Sequence, residues 1–157
     1  MPTVEKSTEI NVSAHTAYDQ WTQFEDFPKF MEGVKEVRQL DDTHVHWHAE
    51  VGGREKEWDA EITEQISDRR IAWHSVSGAQ NDGIVTFDDI GANAARVTLR
   101  MNYETQGLAE SLGQAAGVLD RVMEDDLQRF KEFLEARGEP TGAWRGQVEQ
   151  GRSQPQP

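Results

Sequence analysis

The last regular stretch of the chain, Leu108 to Arg137, limits what everything before it can do. Apolar residues recur there as Leu108, Leu112, Ala115, Ala116, Leu119, Val122, Met123, Leu127, Phe130, Phe133 and Leu134. Three-then-four spacing is one stripe of an α-helix. Glu110, Gln114, Asp120, Asp125, Gln128, Arg129, Lys131 and Glu135 supply the polar face. Ser111 and Gln114 have the form of a capping box, so the regular helix is expected to begin a few residues into the stretch. Gly138 and Pro140 end it, glycine as the residue past the last turn and proline because it cannot continue the ladder. At 1.5 Å per residue the run is about 40 Å long, the width of a small domain. Since the preceding chain reads mostly as strands, this helix must cover one face of a sheet.

The stripe changes character along its length. Leu127, Phe130, Phe133 and Leu134 make its C-terminal half bulky, whereas Gly113, Ala115, Ala116 and Gly117 make its N-terminal half small. A glycine inside a helix costs about 1 kcal/mol against alanine, so two of them need a reason. Either the helix packs closely on the sheet there, or it leaves room for a ligand.

From Val4 to Val12 the residues alternate as in a half-buried strand. Ser13 caps a short helix from Ala14 to about Gln23, and Asp26 a second one through Phe27, Pro28 and Met31. Six more strands are expected, at Val34–Leu40, Thr43–Val51, Arg54–Ile66, Arg70–Val76, Gly83–Ile90 and Ala95–Tyr103. The breaks between them, Gly52-Gly53 the sharpest, are too short for parallel crossovers, so neighbours must be antiparallel. Residues 139–157 are rich in Gln, Gly and Pro, with Trp144 the one large apolar side chain. The reading is therefore a domain over residues 1–138 and a disordered tail over 139–157.

Alternation also says which side chains face the helix. Trp47, Ala49 and Val51 share a side, as do Trp58, Ala60 and Ile62, then Ile71 and Trp73, Val85 and Phe87, and Val97, Leu99, Met101 and Tyr103. Aliphatic residues suffice to pack a sheet on a helix, whereas Trp is usual where its N–H finds a partner or a cavity needs a flat wall.

Composition removes several classes of function. Twenty-nine acidic residues against 16 basic ones leave a net charge of −13. Such a surface gains nothing from counterion release on a phosphate backbone, so nucleic acid is not an expected partner. With no cysteine, disulfides, thiol catalysis and thiolate metal sites are ruled out together. No apolar run is long enough to span a bilayer and no signal peptide is visible, so the expected location is cytoplasmic.

The element order and several segments resemble the polyketide cyclase/dehydrase and lipid-transport proteins of the START / Bet v 1-like (SRPBCC) superfamily, nearest its coenzyme Q-binding-like bacterial branch. The resemblance runs from Pro2 to Arg137. It is carried by Ser7-Thr8-Glu9-Ile10-Asn11-Val12, by the run from Trp21 through Phe27-Pro28-Lys29-Phe30-Met31, by Trp58-Asp59-Ala60-Glu61-Ile62, by Arg70-Ile71-Ala72-Trp73, and by the last helix with Phe130-Lys131. It implies an α+β helix-grip fold, a seven-stranded antiparallel sheet curled around the long C-terminal helix, with an apolar cavity between them. Members carry lipids, bind quinones, sense hormones, cyclise polyketides or bind proteins, so activity must come from the site. Catalytic cyclases keep Arg, Tyr and Ser or Thr inside; here the inward positions are mainly apolar, with Tyr103 the clearest polar tip.

Three readings follow. The first is a binding or carrier protein for a hydrophobic small molecule, a lipid, quinone or aromatic polyketide-like compound. Trp47, Trp58, Trp73, Phe87, Met101 and Tyr103 would form its wall, with Leu112, Gly113, Ala116 and Gly117 above them. The second is an aromatase/cyclase enzyme, and the third an interaction module whose cavity its own side chains fill. No catalytic residue, cofactor or metal ligand is assigned. His44, His46 and His48 alternate on one strand, a pattern that can hold a metal, but their parity opposes Trp47 and puts them on the outer face. Glu55, Glu57, Asp59 and Glu61 belong to that outer face too, without the burial a general acid needs.

Overall fold

The computed structural model describes residues 3–31, 33–51, 54–78, 81–103, 115–149 and 152–154. Strand β1 (Thr3–Ile10) leads to helix α1 (Ala14–Trp21) and a 3-10 helix (Phe24–Lys29). Then come β2 (Val34–Gln39), β3 (His44–Val51), β4 (Arg54–Ile66), β5 (Arg70–Gly78), β6 (Asn81–Gly91) and β7 (Ala94–Tyr103). Helix α2 (Ala115–Arg137) follows, and two short strands, β8 (Gln147–Glu149) and β9 (Arg152–Gln154), complete the order. Strands β1–β7 form an antiparallel sheet in the order β1-β7-β6-β5-β4-β3-β2. This is the expected helix-grip.

Local chemistry sets the element ends. Ser13 Oγ accepts from Thr16 N at α1, and Asp89 reaches the Ala14 amide at 2.9 Å, so two amides of the first turn are satisfied. Gly138, at φ +77°, closes α2 by donating to Leu134 O at 2.8 Å. The expected start of that helix near Leu108 lies outside the described residues.

The bulky half of α2 is the centre of the core. Met123, Leu127, Phe130 and Leu134 are buried in a single stripe. Phe130 meets Trp21 and Phe30 edge-on, with ring centroids 5.1 and 5.3 Å apart. Phe24, Phe27 and Phe30 continue this aromatic plug below α1. Polar contacts along β1 align the helix: Glu135 accepts from Asn11 N (2.8 Å), Lys131 donates to Glu9 O (2.8 Å), and Glu124 lies 3.7 Å from Lys6. Helix α2 therefore runs antiparallel to β1, its N-terminal end toward Val4.

The expected disordered tail needs correction. Residues 139–149 cross α1 as a strap and end as β8, which pairs Val148 with Gln65 and Glu149 with Glu64 of β4. The reason lies in strand length. Strand β4 runs on past the point where β3 stops pairing, at His44 and Glu61, and its open edge groups need partners. Thr141 N donates to Gln20 Oε1 (2.8 Å), Thr141 Oγ1 to Asp26 (2.5 Å), and Trp144 N to Thr22 Oγ1 (3.1 Å). Arg145 donates to Asp19 (2.8 Å) and makes a two-pronged pair with Asp68 (2.6 and 3.0 Å). Val148 is wholly buried.

Candidate ligand-binding site

The inner face of the sheet is not evenly covered. Leu99, Val85, Ile71 and Gln65 stand side by side across β7, β6, β5 and β4, and all four are buried. The next row toward Val4 is Met101, Gly83, Trp73 and Ile62. There Met101 and Trp73 are only half-buried although they pack on the core. Gly83 makes this row possible. A Cβ added to it would collide with Trp73 Cζ2, so the Trp73 indole lies over a residue with no side chain.

A second aromatic surface adjoins it on β3 and β4. Trp47 and Trp58 are cross-strand partners with rings stacked 5.9 Å apart and 4° from parallel. Trp58 is buried and Trp47 half-buried. Phe87 belongs to the core instead: it is buried edge-on against Tyr18 and Trp21, at 5.5 and 6.2 Å. Of the residues expected in the wall, Trp47, Trp58, Trp73 and Met101 thus share the inner face beside the row change. Tyr103 ends β7, but its side chain, Leu112 and Gly113 lie outside the described residues; Ala116 and Gly117 are described only as helix backbone.

The outer face of the same strands is polar. His46 Nδ1 sits 2.6 Å from Asp59 and its Nε2 3.2 Å from Glu57. His44 lies 3.6 Å and His74 3.2 Å from Glu61, and His48 3.5 Å from Glu55. The hydrogen bond that His46 donates to the Asp59 carboxylate raises the His46 pKa, partly opposed by desolvation. A folded-state pKa above the unfolded value of about 6.5 means stabilisation that is full below pH 6.5 and lost as pH rises through the raised value. The expected outcome is a wild-type unfolding midpoint that falls relative to Asp59→Asn as pH rises from 6 to 8. Parallel curves for the two proteins would refute the pairing.

One group of potential metal ligands, His15, Asp19 and Asp68, brings its donor atoms within 4.8 Å of one another. Arg145 already occupies it, bonded to both carboxylates, and its hydrogen bond lowers the Asp68 pKa. That cation comes from the strap. A sequence signal for the strap exists: Gln147-Val148-Glu149 and Arg152-Ser153-Gln154 flank Gln150-Gly151, two short runs around a turn-type dipeptide.

The chain matches the family model described as polyketide cyclase / dehydrase and lipid transport over residues 10–132. It is 48% identical over 149 residues to an uncharacterized 17.2 kDa protein of Streptomyces lincolnensis, covering 94% of this chain and 99% of that one. Its fold is similar to that of the Zhui aromatase/cyclase from Streptomyces sp. R1128, with TM-score 0.75 and 14% identity over 91% of this chain and 99% of the other. It is also similar to a START superfamily protein from Mycobacterium smegmatis, with TM-score 0.68 and 15% identity over 86% of this chain and 95% of the other. At these identities the structures speak for the fold alone. Family and fold fit hydrophobic ligand binding or a cyclase-type role, and no helix among the described residues is long and apolar enough to cross a membrane. By the extent of the family match and its 48% identical relative, this chain belongs to the polyketide cyclase / dehydrase and lipid transport family.

Proposed function

We propose that the protein binds or carries a hydrophobic, ring-containing small molecule between the sheet and the N-terminal half of α2. One observation supports this most: Trp47, Trp73 and Met101 stay only partly buried on the inner face, one row from side chains that are fully covered. Large apolar groups left partly open inside a fold lose burial energy that a ligand would restore, at about 25 cal/mol per Å². Flat indoles suit a planar ring. The alignment of α2 along β1 supports Ala116 and Gly117 as the roof, because its N-terminal end is directed toward Val4, the cross-strand partner of Met101. Among the described residues the buried polar side chains are Asp19, Gln20, Thr22 and Gln65, none of them on the Trp47–Trp58 or Trp73–Met101 surfaces. This favours binding over cyclisation, which would need polar groups at the ring being closed.

The test combines a ligand screen with a filled pocket. Native mass spectrometry of the protein purified from its own host should show added mass, and a panel of lipids, quinones and aromatic polyketides should include a binder. Gly117→Leu should weaken that binder on the order of tenfold, equivalent to about 1.4 kcal/mol, while the unfolding transition stays cooperative. If nothing in the panel binds and an experimental structure shows the four side chains interlocked without a void, the carrier reading fails and an interaction module takes its place.

A further inference from the structure

The chain has five lysines, and four of them face a carboxylate: Lys6 with Glu124 at 3.7 Å, Lys29 with Asp26 at 3.0 Å, Lys35 with Glu50 at 3.2 Å and Lys131 with Glu135 at 2.7 Å. Lys56 is the fifth. Among the described residues it has neither an ion-pair partner nor a hydrogen-bond acceptor. Acidic residues outnumber basic ones 29 to 16, so a cation left alone in this chain needs a reason.

The sheet supplies it. Glu55 and Glu57, on either side of Lys56 in sequence, point to the outer face, where they meet His48 at 3.5 Å and His46 at 3.2 Å. Successive strand residues face opposite ways, and β3 and β4 pair without a register shift from Val51 and Arg54 to His44 and Glu61. Lys56 therefore stands on the inner face, next to Trp58 on its strand and opposite the buried Ala49. It is partly buried there. From Val45 to Ala49 and from Lys56 to Ile62, the inner positions of these two strands carry no carboxylate.

Along β4 the inner face reads Lys56, Trp58, Ala60 and Ile62, the last opposite Trp73. Small Ala60 separates the two aromatic surfaces, and the lysine ends the line beyond the Trp47–Trp58 stack. At about 3.3 Å per residue it lies roughly 7 Å from Trp58 along the strand, within the span of one substituted ring system.

We propose that Lys56 is the anion anchor of the ligand site, so that the hydrophobic molecule bound there carries an anionic oxygen group, a carboxylate or a phosphate, at the end nearest the Trp47–Trp58 stack. This rests on the binding reading above and narrows it to amphipathic anions. A lysine lays its methylene stem along apolar surface and delivers the charge at its tip. An ammonium without a protein acceptor makes a charge-assisted hydrogen bond to an anionic oxygen, stronger than a neutral one. Indole walls beside it keep the local dielectric below that of water, which strengthens the attraction. A neutral ligand in the same place would leave the ammonium unpaired beside it.

The test compares matched probes on the full-length protein by titration calorimetry at low ionic strength: 2-naphthoic acid and lauric acid, each against its own methyl ester. Each acid should bind about tenfold tighter than its ester. Lys56→Met keeps an unbranched stem without the charge and should bring the acid down to the level of the ester. Lys56→Arg should retain the preference, and added salt should shrink it, because the pair is partly open to solvent. Acid and ester binding equally well to the wild type would overturn the inference while leaving the hydrophobic site in place. A preference that survives Lys56→Met would do the same. Binding of neither member of either pair would also overturn it, and the wider panel of lipids, quinones and aromatic polyketides then decides whether the site itself stands.

Discussion

Truncation after Gly138 is expected to destabilise the folded domain on the order of 4 kcal/mol, a large fraction of the stability of a domain this size. Two losses add up to this. Val148 is fully buried, and exposing such a side chain costs about 1.5–3 kcal/mol. Asp19, with a side chain only 7% exposed, loses the Arg145 guanidinium, and an ion left unpaired after its partner is deleted is costly. Discounting for the half-open side of the Asp68 pair keeps the total near the figure given. The unfolding midpoint should fall by about 8–16 °C, since 1 kcal/mol corresponds to roughly 2–4 °C at this length. The pH dependence has a definite sign. Asp68 has a lowered pKa in the folded state because Arg145 hydrogen-bonds its carboxylate. Its contribution is therefore complete above the unfolded value of about 3.9 and is lost as pH falls through the lowered one. Full-length and truncated proteins should converge in acid. A truncated protein that melts within 1 °C of the full chain at pH 7 would show that the strap is not docked in solution.

Phe130→Ala is the second large effect, at about 3–5 kcal/mol, the usual range for emptying a fully buried aromatic site. Phe130 is 0% exposed and is the residue through which α2, α1 and the 3-10 helix meet, by its edge contacts to Trp21 and Phe30. Collapse of the cavity is limited because the neighbours are rigid rings. Chemical denaturation of the variant checks it directly. A loss below about 1 kcal/mol would mean that α2 is rotated from the register in which Leu127, Phe130 and Leu134 face inward.

Much of this architecture was legible before any coordinates. Strand β4 appears with the bounds read from alternation, Arg54 to Ile66, and β1–β3 and β5–β7 agree to within a few residues at their ends. The stripe Met123-Leu127-Phe130-Leu134 faces the core as its spacing requires. These features are local: a period of two or of 3.6 is written in neighbouring residues and survives whatever the rest of the chain does. The parity that put His44, His46 and His48 outside and Trp47 inside is of the same kind.

Tertiary structure decided the remainder. A register shift in β4 turned Gln65 inward, and no residue type within that strand announces where it falls, because it depends on how β5 lies alongside. Phe87, read as part of the ligand wall, went to the core because α1 places Tyr18 and Trp21 against it. The C-terminal segment looked too polar to fold, and by itself it is, since a strand of three residues stabilises nothing alone. It gains a place only once β4 outruns β3 and leaves an edge for Val148, with Asp19 and Asp68 brought together for Arg145 from positions 49 apart in sequence. Periodicity determined which face each side chain presents; the meeting of distant segments determined which faces were covered, because burial and ion pairing act between groups that only folding brings together.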